Sequence, residues 1–148
     1  MIIMIYYVTK YRNCYINNNV ERRGKMLDIT KILVISNEIS EYERIKSILD
    51  SLNFFQLDYQ TNIKRENNHY DFIIADLDSI DESDESKVVD SLKQVYKRSN
   101  IILLGKKNEV YLSKTQKGIP ILSKSILEVE LLEYLFNTIL EEVSNICS

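Results

Sequence analysis

Two carboxylates follow directly on an apolar segment in the middle of the chain. Residues 72–75 read Phe-Ile-Ile-Ala, and Asp76-Leu77-Asp78 come next. An apolar run without alternation is typical of a strand covered on both faces, as in a parallel sheet with helices above and below. Open α/β sheets place their sites in the crevice at the carboxyl ends of the strands. Asp76 is therefore the first candidate for chemistry. The alternative is that Asp76 and Asp78 only end the strand and solvate a turn.

Sequence patterns typical of strands and of helices alternate along the rest of the chain. The strands and helices that they predict would position these carboxylates. Short β-branched or apolar runs bounded by polar residues are typical of strands. Apolar residues spaced by three and four are typical of helices with one buried face. We predict strands at residues 31–35, 55–59, 72–75, 100–105 and 119–123, helices at 40–52, 88–96, 108–117 and 125–143, and a short helix or irregular loop at 62–69.

Several of these helices carry signals at their ends. Residues 40–43 and 125–128 both have the capping-box pattern, in which a Ser hydroxyl and a Glu side chain satisfy free N–H groups. Gly118 would stop the helix before it. Acidic residues 81–85 favour a helix start through the helix dipole, with cation binding as the alternative. The final helix has a wide apolar stripe, which either core packing or a partner surface would explain.

This alternation predicts an α/β fold made of one domain over residues 26–148. Alternating strands and helices form a parallel sheet with helices on both faces, joined by right-handed crossovers. Five strands in a small domain suit a flavodoxin-like, doubly wound (βα)5 sandwich with a five-stranded parallel sheet in the order 2-1-3-4-5.

Composition narrows the classes of function. The 148 residues are 45% hydrophobic and 28% charged, which is typical of a soluble globular domain. No apolar run is long enough to span a membrane. After residue 25 the chain is acidic, so we expect no nucleic-acid binding. The two cysteines, Cys14 and Cys147, lie far apart in the sequence, which argues against a disulfide framework or a zinc site and favours the cytoplasm.

Residues 1–25 differ from the rest of the chain. They carry five Lys or Arg residues and one Glu, and they end in a basic stretch just before Met26. They lack the basic start and cleavage site of a secretory signal. We expect an N-terminal extension, with Met26 as the true start. The alternative is a genuine tail that packs poorly.

At this point the sequence resembles the receiver domain of bacterial response regulators, from about Ile29 to Val143. The anchors are residues 70–77, similar to the phosphoacceptor strand of that family, and residues 121–124. The resemblance implies that Asp76 is the phosphoacceptor and that Lys124 pairs with the phosphoryl oxygens. It also implies a magnesium ion, for which Asn37, Glu38, Asp76 and Asp78 are the candidate ligands, forming a weak site.

The sequence departs from the family pattern at several positions. Ser36 and Asn37 stand where the family usually has an acidic pair that binds magnesium, so the site loses negative charge. Gly105 replaces a hydroxyl residue that moves onto the phosphoryl group, and Ile121 replaces a switch aromatic. Ser125 stands where proline usually follows the lysine. Asp76 and Lys124 remain, and they could also form a purely structural ion pair.

These features predict an atypical, degenerate, stand-alone receiver in a two-component or phosphorelay system. It would act through protein contacts, with a histidine kinase, a downstream target or a second copy as partner, and phosphorylation of Asp76 would be secondary. We expect no enzymatic activity beyond self-phosphorylation from a phosphodonor. The expected partner surface includes Tyr111, Leu112, Ile121 and the outer side of residues 127–136.

Two alternatives stay open. The first is a phosphorylation-competent receiver that uses Asn37, Glu38 and Asp76 around magnesium. The second is a small-ligand-binding or enzymatic module on the same kind of sheet. No glycine-rich loop follows the first strand, and the single His69 lies in a polar segment, which argues against the second alternative.

Overall fold

The computed structural model describes residues 30–53, 55–64, 68–79, 85–105 and 115–147. Thr30–Glu128 forms one compact unit, and the chain from Val129 onward belongs to another. The strands are β1 (Thr30–Ile35), β2 (Phe55–Gln60), β3 (Phe72–Asp76), β4 (Asn100–Leu104), β5 (Thr115–Gln116) and β6 (Ile119–Leu122). The helices are α1 (Ile39–Leu49), α2 (Glu85–Val95) and α3 (Leu127–Cys147), with short 3-10 turns at Leu77–Ser79 and Lys124–Ile126.

The strands form one sheet in the order β2-β1-β3-β4-β6-β5. All neighbouring pairs are parallel except β5 and β6, which are antiparallel. Leaving aside the two-residue strand β5, the five parallel strands have the predicted order 2-1-3-4-5. The prediction of a flavodoxin-like α/β fold is therefore confirmed.

The register of the strands aligns the carboxyl ends of β1, β3 and β6. Ile35 at the end of β1 pairs with Ala75 of β3, and Asp76 pairs with Leu104 of β4. Leu104 in turn pairs with Leu122 at the end of β6. The residues that follow β1, β3 and β6 therefore emerge at the same edge of the sheet, as expected for parallel strands.

Both faces of the sheet are buried. On one face, Leu33, Ile73 and Leu103 cluster with Val89 and Leu92 of α2. Successive side chains of a strand point to opposite faces, and the alternate strand residues are also buried: Ile32, Val34, Ile74 and Ile102. Each fully buried side chain of this size contributes about 1.5–3 kcal/mol through the hydrophobic effect. Burial on both faces explains why the strand sequences are continuously apolar.

The helix α3 has the predicted apolar stripe. Leu131, Leu135, Phe136 and Ile139 are buried, whereas Val129 is 67% exposed. Among the described helices, none is both long enough and apolar enough to cross a membrane.

Neither predicted capping box is formed. Helix α1 begins at Ile39, one residue before Ser40, and its N-cap residue Glu38 makes no side-chain capping bond. Ser125 lies in the 3-10 turn before α3, and its hydroxyl is 2.9 Å from the hydroxyl of Ser123.

The predicted helix at residues 108–117 is wrong over its last residues. Thr115 and Gln116 form the strand β5, and Lys117 and Gly118 make the turn into β6 with φ of 51° and 82°. Two successive residues with positive φ are typical of a tight hairpin turn, which explains the glycine there. Residues 108–114 lie outside the described part of the chain. The described residues of the 62–69 segment form no helix, in line with the loop alternative.

Candidate functional site

Three polar residues meet at the carboxyl edge of the sheet. Ser36 follows β1, Asp76 ends β3, and Lys124 begins the turn two residues after β6. All three are buried, although each has a polar side chain. These residues lie close together because of the strand order. Strand β3 lies next to β1, and only β4 separates β3 from β6.

The Lys124 ammonium is surrounded by carboxylates. Its Nζ lies 2.6 Å from Oδ1 of Asp76 and 2.5 Å from Oδ2 of Asp78. A third carboxylate oxygen, Oε1 of Glu41, lies 3.9 Å away. The Arg44 guanidinium donates a hydrogen bond to the main-chain carbonyl of Lys124. The side chain of Lys124 is only 7% exposed, so these contacts replace the water that a surface lysine would bind.

Asp76 is saturated with hydrogen bonds. Its Oδ1 accepts a bond from Lys124 and a 3.0 Å bond from the main-chain N–H of Asp78. Its Oδ2 accepts a 2.8 Å bond from the Ser36 hydroxyl and a 3.4 Å bond from the Ser79 hydroxyl. A buried carboxylate is stable in the ionised form only with such partners. Asp76 and Lys124 therefore form the centre of a buried polar network.

The environment of Lys124 favours its charged form. Burial on its own lowers the pKa of the ammonium. The hydrogen bonds to Asp76 and Asp78, with the charges of Asp76 and Glu41, more than offset that effect and raise the pKa of Lys124 above its ordinary value. The lysine is thus a permanent positive charge at neutral pH.

Glu41 is a member of this cluster that the sequence analysis did not identify. It lies in the first turn of α1, and its Oε2 is buried without a hydrogen-bond partner among the described residues. Its position in the sequence could have identified Glu41 as a site residue, because a residue in the first turn of the helix after β1 lies above the carboxyl edge of the sheet. Residues 40–43 instead suggested a capping box, which drew attention to Ser40 and Glu43.

Two of the four predicted magnesium ligands have a carboxylate oxygen in contact with Lys124. Asp76 and Asp78 bind the Lys124 ammonium. Asn37 donates from its main chain to the Ser79 hydroxyl and from its side-chain amide to the Ser79 carbonyl, at 2.6 and 2.8 Å. Glu38 is exposed, and the main-chain N–H of Glu38 is 3.1 Å from Oγ of Ser36. Within the described ranges no three Asp, Glu, His or Cys side chains are grouped to hold a metal ion.

This donor set does not fit a magnesium ion in its present arrangement, because the ammonium already takes the oxygens of Asp76 and Asp78. Magnesium requires near-octahedral oxygen coordination at about 2.0–2.1 Å. Magnesium binding by these residues stays a prediction.

The predicted partner surface needs one correction. Ile121 is 3% exposed and belongs to the core cluster on the α2 face of the sheet, so it is not a surface contact. Tyr111 and Leu112 lie outside the described residues. On the outer side of residues 127–136, Glu128, Val129 and Glu133 are exposed.

A cavity of about 240 Å³ lies beside Asp76. Its lining combines Asp76 and Ser79 with Thr61, which follows β2, and with Lys87 and Ser91 of α2. Hydroxyl groups, one ammonium and apolar walls could accommodate a small polar molecule.

The chain matches no protein-family model and no curated protein. Among solved structures, it is similar to a response regulator receiver protein from Sinorhizobium medicae, with a TM-score of 0.52 and 16% identity over 76% of this chain and 97% of that chain. The fold is receiver-like.

A second solved structure supports the same fold. A pilus assembly-related protein from Burkholderia pseudomallei has a TM-score of 0.52 and 12% identity over 84% of this chain and 94% of that chain. Sequence identities this low support a shared fold but give no information about the chemistry of the site. The function of the site must therefore be inferred from its own residues.

Proposed function

We propose that this protein is an atypical receiver of a two-component or phosphorelay system that acts through contacts with a partner protein. The observation that carries the proposal is the buried network of Asp76, Lys124 and Asp78 at the carboxyl edge of a receiver-like sheet. By the sequence resemblance to receiver domains, Asp76 and Lys124 would correspond to the phosphoacceptor and lysine positions of that family. Both carboxylate oxygens of Asp76 already have hydrogen-bond partners without a phosphoryl group.

The charge balance argues for a secondary role of phosphorylation. Transfer to Asp76 would require one of its oxygens to leave its present partners and attack a phosphorus atom. Both oxygens accept hydrogen bonds, and the carboxylate is 1% exposed. A hydrogen bond to a charged group contributes about 1.5–3 kcal/mol, so freeing one oxygen of Asp76 carries a cost. Ser36 and Asn37 supply no negative charge that would attract a divalent cation to offset this cost.

A receiver that does not depend on phosphorylation must signal through its surface. The partner would be a histidine kinase or a downstream target, and a homodimer is a further form of such contact. Val129 is the strongest candidate contact among the described surface residues, because it is a large apolar side chain that is 67% exposed and it is flanked by the exposed Glu128. Isolated exposed apolar residues are ordinary, so the segment around Val129 must be tested directly.

The first experiment is intact-mass analysis after incubation with acetyl phosphate, with and without magnesium, on the wild type and on Asp76→Asn. We expect no phosphoryl adduct under conditions that label an ordinary receiver. Binding to a candidate histidine kinase or target would then be compared between the wild type and Asp76→Asn, and equal affinities are expected. A magnesium-dependent adduct that is lost in Asp76→Asn, together with tighter partner binding, would reject this proposal in favour of a competent receiver.

A small-ligand-binding module is the second candidate function. The cavity beside Asp76, lined by Thr61, Ser79, Lys87 and Ser91, favours it. A ligand that raises the melting temperature of the wild type, and does so less for Ser91→Leu, would support this alternative.

A further inference from the structure

Four described residues cover the carboxylate of Asp76, and one of them lies on the side of the cavity. Lys124 and the main-chain N–H of Asp78 contact Oδ1, and the hydroxyls of Ser36 and Ser79 contact Oδ2. Of these four residues, only Ser79 also lines the cavity beside Asp76. Ser79 is therefore the group that separates Oδ2 of Asp76 from the cavity.

The bond from Ser79 to Asp76 is too weak to hold this cover in place. The Ser79 hydroxyl lies 3.4 Å from Oδ2 of Asp76, whereas good O–H···O hydrogen bonds span about 2.5–3.0 Å. Asp76 nevertheless has only 1% of its surface exposed, although it forms part of the cavity wall. Another contact must keep Ser79 in position.

Asn37 provides that contact from the segment that joins β1 to α1. Its main-chain N–H donates to the Ser79 hydroxyl at 2.6 Å, and its side-chain amide donates to the Ser79 carbonyl at 2.8 Å. We call these two bonds the Asn37–Ser79 clasp. Both are shorter than the bond from Ser79 to Asp76, so the clasp determines where Ser79 lies.

We infer that the Asn37–Ser79 clasp is an autoinhibitory contact, which keeps Asp76 closed to small reagents that enter the cavity. The inference rests on the proposed function and names what limits access to its site. When either bond of the clasp is lost, Ser79 can move away and Oδ2 of Asp76 faces the cavity. The ion pair with Lys124 involves Oδ1, so it persists when the clasp opens.

The cavity offers a route for a small anionic phosphodonor. Its volume is about 240 Å³, and its lining includes the ammonium of Lys87 and the hydroxyls of Thr61 and Ser91. Positive charge at a cleft raises the local concentration of anions. The clasp then decides whether such an anion meets Ser79 or the carboxylate behind it.

The test measures how fast Asp76 reacts with a water-soluble carbodiimide and glycine ethyl ester, which together convert an accessible carboxyl group into an amide. The full-length wild type would be compared with Ser79→Ala, Asn37→Ala and the conservative variant Ser79→Thr. The exposed Asp50 in each sample serves as the reference for reagent activity. Peptide mass spectrometry would assign each label to its residue.

Two controls separate the clasp from general effects. Ser99→Ala removes a hydroxyl that donates an equally short bond, 2.6 Å, to the main-chain carbonyl of Tyr70. Leu92→Ala destabilises the fold through a fully buried side chain and leaves the clasp intact. Melting temperatures of all variants would show that each one is folded under the labelling conditions.

We expect the reactivity of Asp76, relative to Asp50, to rise about tenfold in Ser79→Ala and in Asn37→Ala, since the closed state loses a hydrogen bond of typical strength. Ser79→Thr and both controls should stay close to the wild type. Unchanged reactivity in Ser79→Ala and Asn37→Ala would overturn the inference. An equal rise in Leu92→Ala would also overturn it, because unfolding would then explain the labelling.

If Ser79→Ala does not fold, Asn37→Ala decides alone, because it leaves the Ser79 hydroxyl in place. Acetyl phosphate labelling of the wild type tests the proposed function separately. A wild type that becomes phosphorylated rejects the proposed function, and the carbodiimide rates of the clasp variants still decide about the clasp. A wild type that stays unphosphorylated while its Asp76 reacts as fast as Asp50 would end this inference and leave the proposed function standing.

Discussion

Removing the charge of Lys124 should destabilise the protein strongly. In Lys124→Met the carboxylate of Asp76, which is 1% exposed, loses its only cationic partner among the described residues, and the mostly buried Glu41 and the partly buried Asp78 each lose one cationic contact. Removing one partner of a buried ion pair typically costs about 3–5 kcal/mol, because a charge is left buried without compensation. For a chain of this size that corresponds to a fall in melting temperature of roughly 10 °C.

The matched control isolates the contribution of burial. Lys117→Met breaks the exposed 2.7 Å pair between Lys117 and Asp90, for which we expect a loss below about 1 kcal/mol. The double variant Asp76→Asn with Lys124→Met removes both charges of the central pair. It should recover part of the stability, since the most buried uncompensated carboxylate is then absent.

Urea unfolding followed by far-ultraviolet circular dichroism would measure these free energies, because the chain has no Trp to report on unfolding. The measurements should be made without divalent cations. If Lys124→Met lost no more stability than Lys117→Met, or if Asp76→Asn made Lys124→Met still less stable, the cluster would not be the coupled buried network described above.

Three further perturbations test other parts of the fold. The folded state raises the pKa of Lys124 above its ordinary value of 10.5. The stabilising contribution of Lys124 should therefore be complete below pH 10.5 and be lost as the pH rises through the pKa of the folded state. In urea titrations, the difference in unfolding free energy between the wild type and Lys124→Met should narrow above about pH 10.5. Gly118→Ala places a Cβ at φ 82°, and although nothing lies within 4 Å of it, backbone strain should cost about 1 kcal/mol in the same assay. Leu92→Ala leaves a cavity against the sheet, where Leu92 is fully buried, and should cost about 2–5 kcal/mol, whereas Lys87→Ala on the exposed side of the same helix should change stability by less than about 0.5 kcal/mol.

The fold could be predicted because its strands are buried on both faces. Continuous apolar runs such as those of β1, β3 and β4 have few other stable arrangements, and their alternation with helices fixes a parallel sheet. The strand β5 was missed since two residues are too short to show a period of two. Gly118 was assigned to a helix end, because a helix stop and a hairpin turn both favour a glycine with positive φ.

The site was predictable only where strand ends define it. Asp76 could be identified from its position after a buried strand, and Lys124 from the resemblance to receiver domains. The roles of Ser36 and Ser79 as hydrogen-bond donors to Asp76 depend on distances across the sheet edge that no local pattern encodes. Glu41 could be placed near this edge from its position in the first turn of the helix after β1, but its contact with Lys124 joins positions far apart in the sequence.

The departures from the receiver pattern are consistent with one another once the geometry is known. An acidic residue at position 36 would place a further carboxylate where the Ser36 hydroxyl now lies, 2.8 Å from Asp76 and completely buried. One ammonium could not offset that additional charge, because like charges at this distance in a buried site repel strongly. A neutral hydroxyl instead donates a hydrogen bond to Asp76 and leaves Lys124 as its counter-ion. The neutral Ser36 and the buried Lys124 therefore belong to one electrostatic arrangement, in which an ammonium and a hydroxyl together stabilise the carboxylate of Asp76.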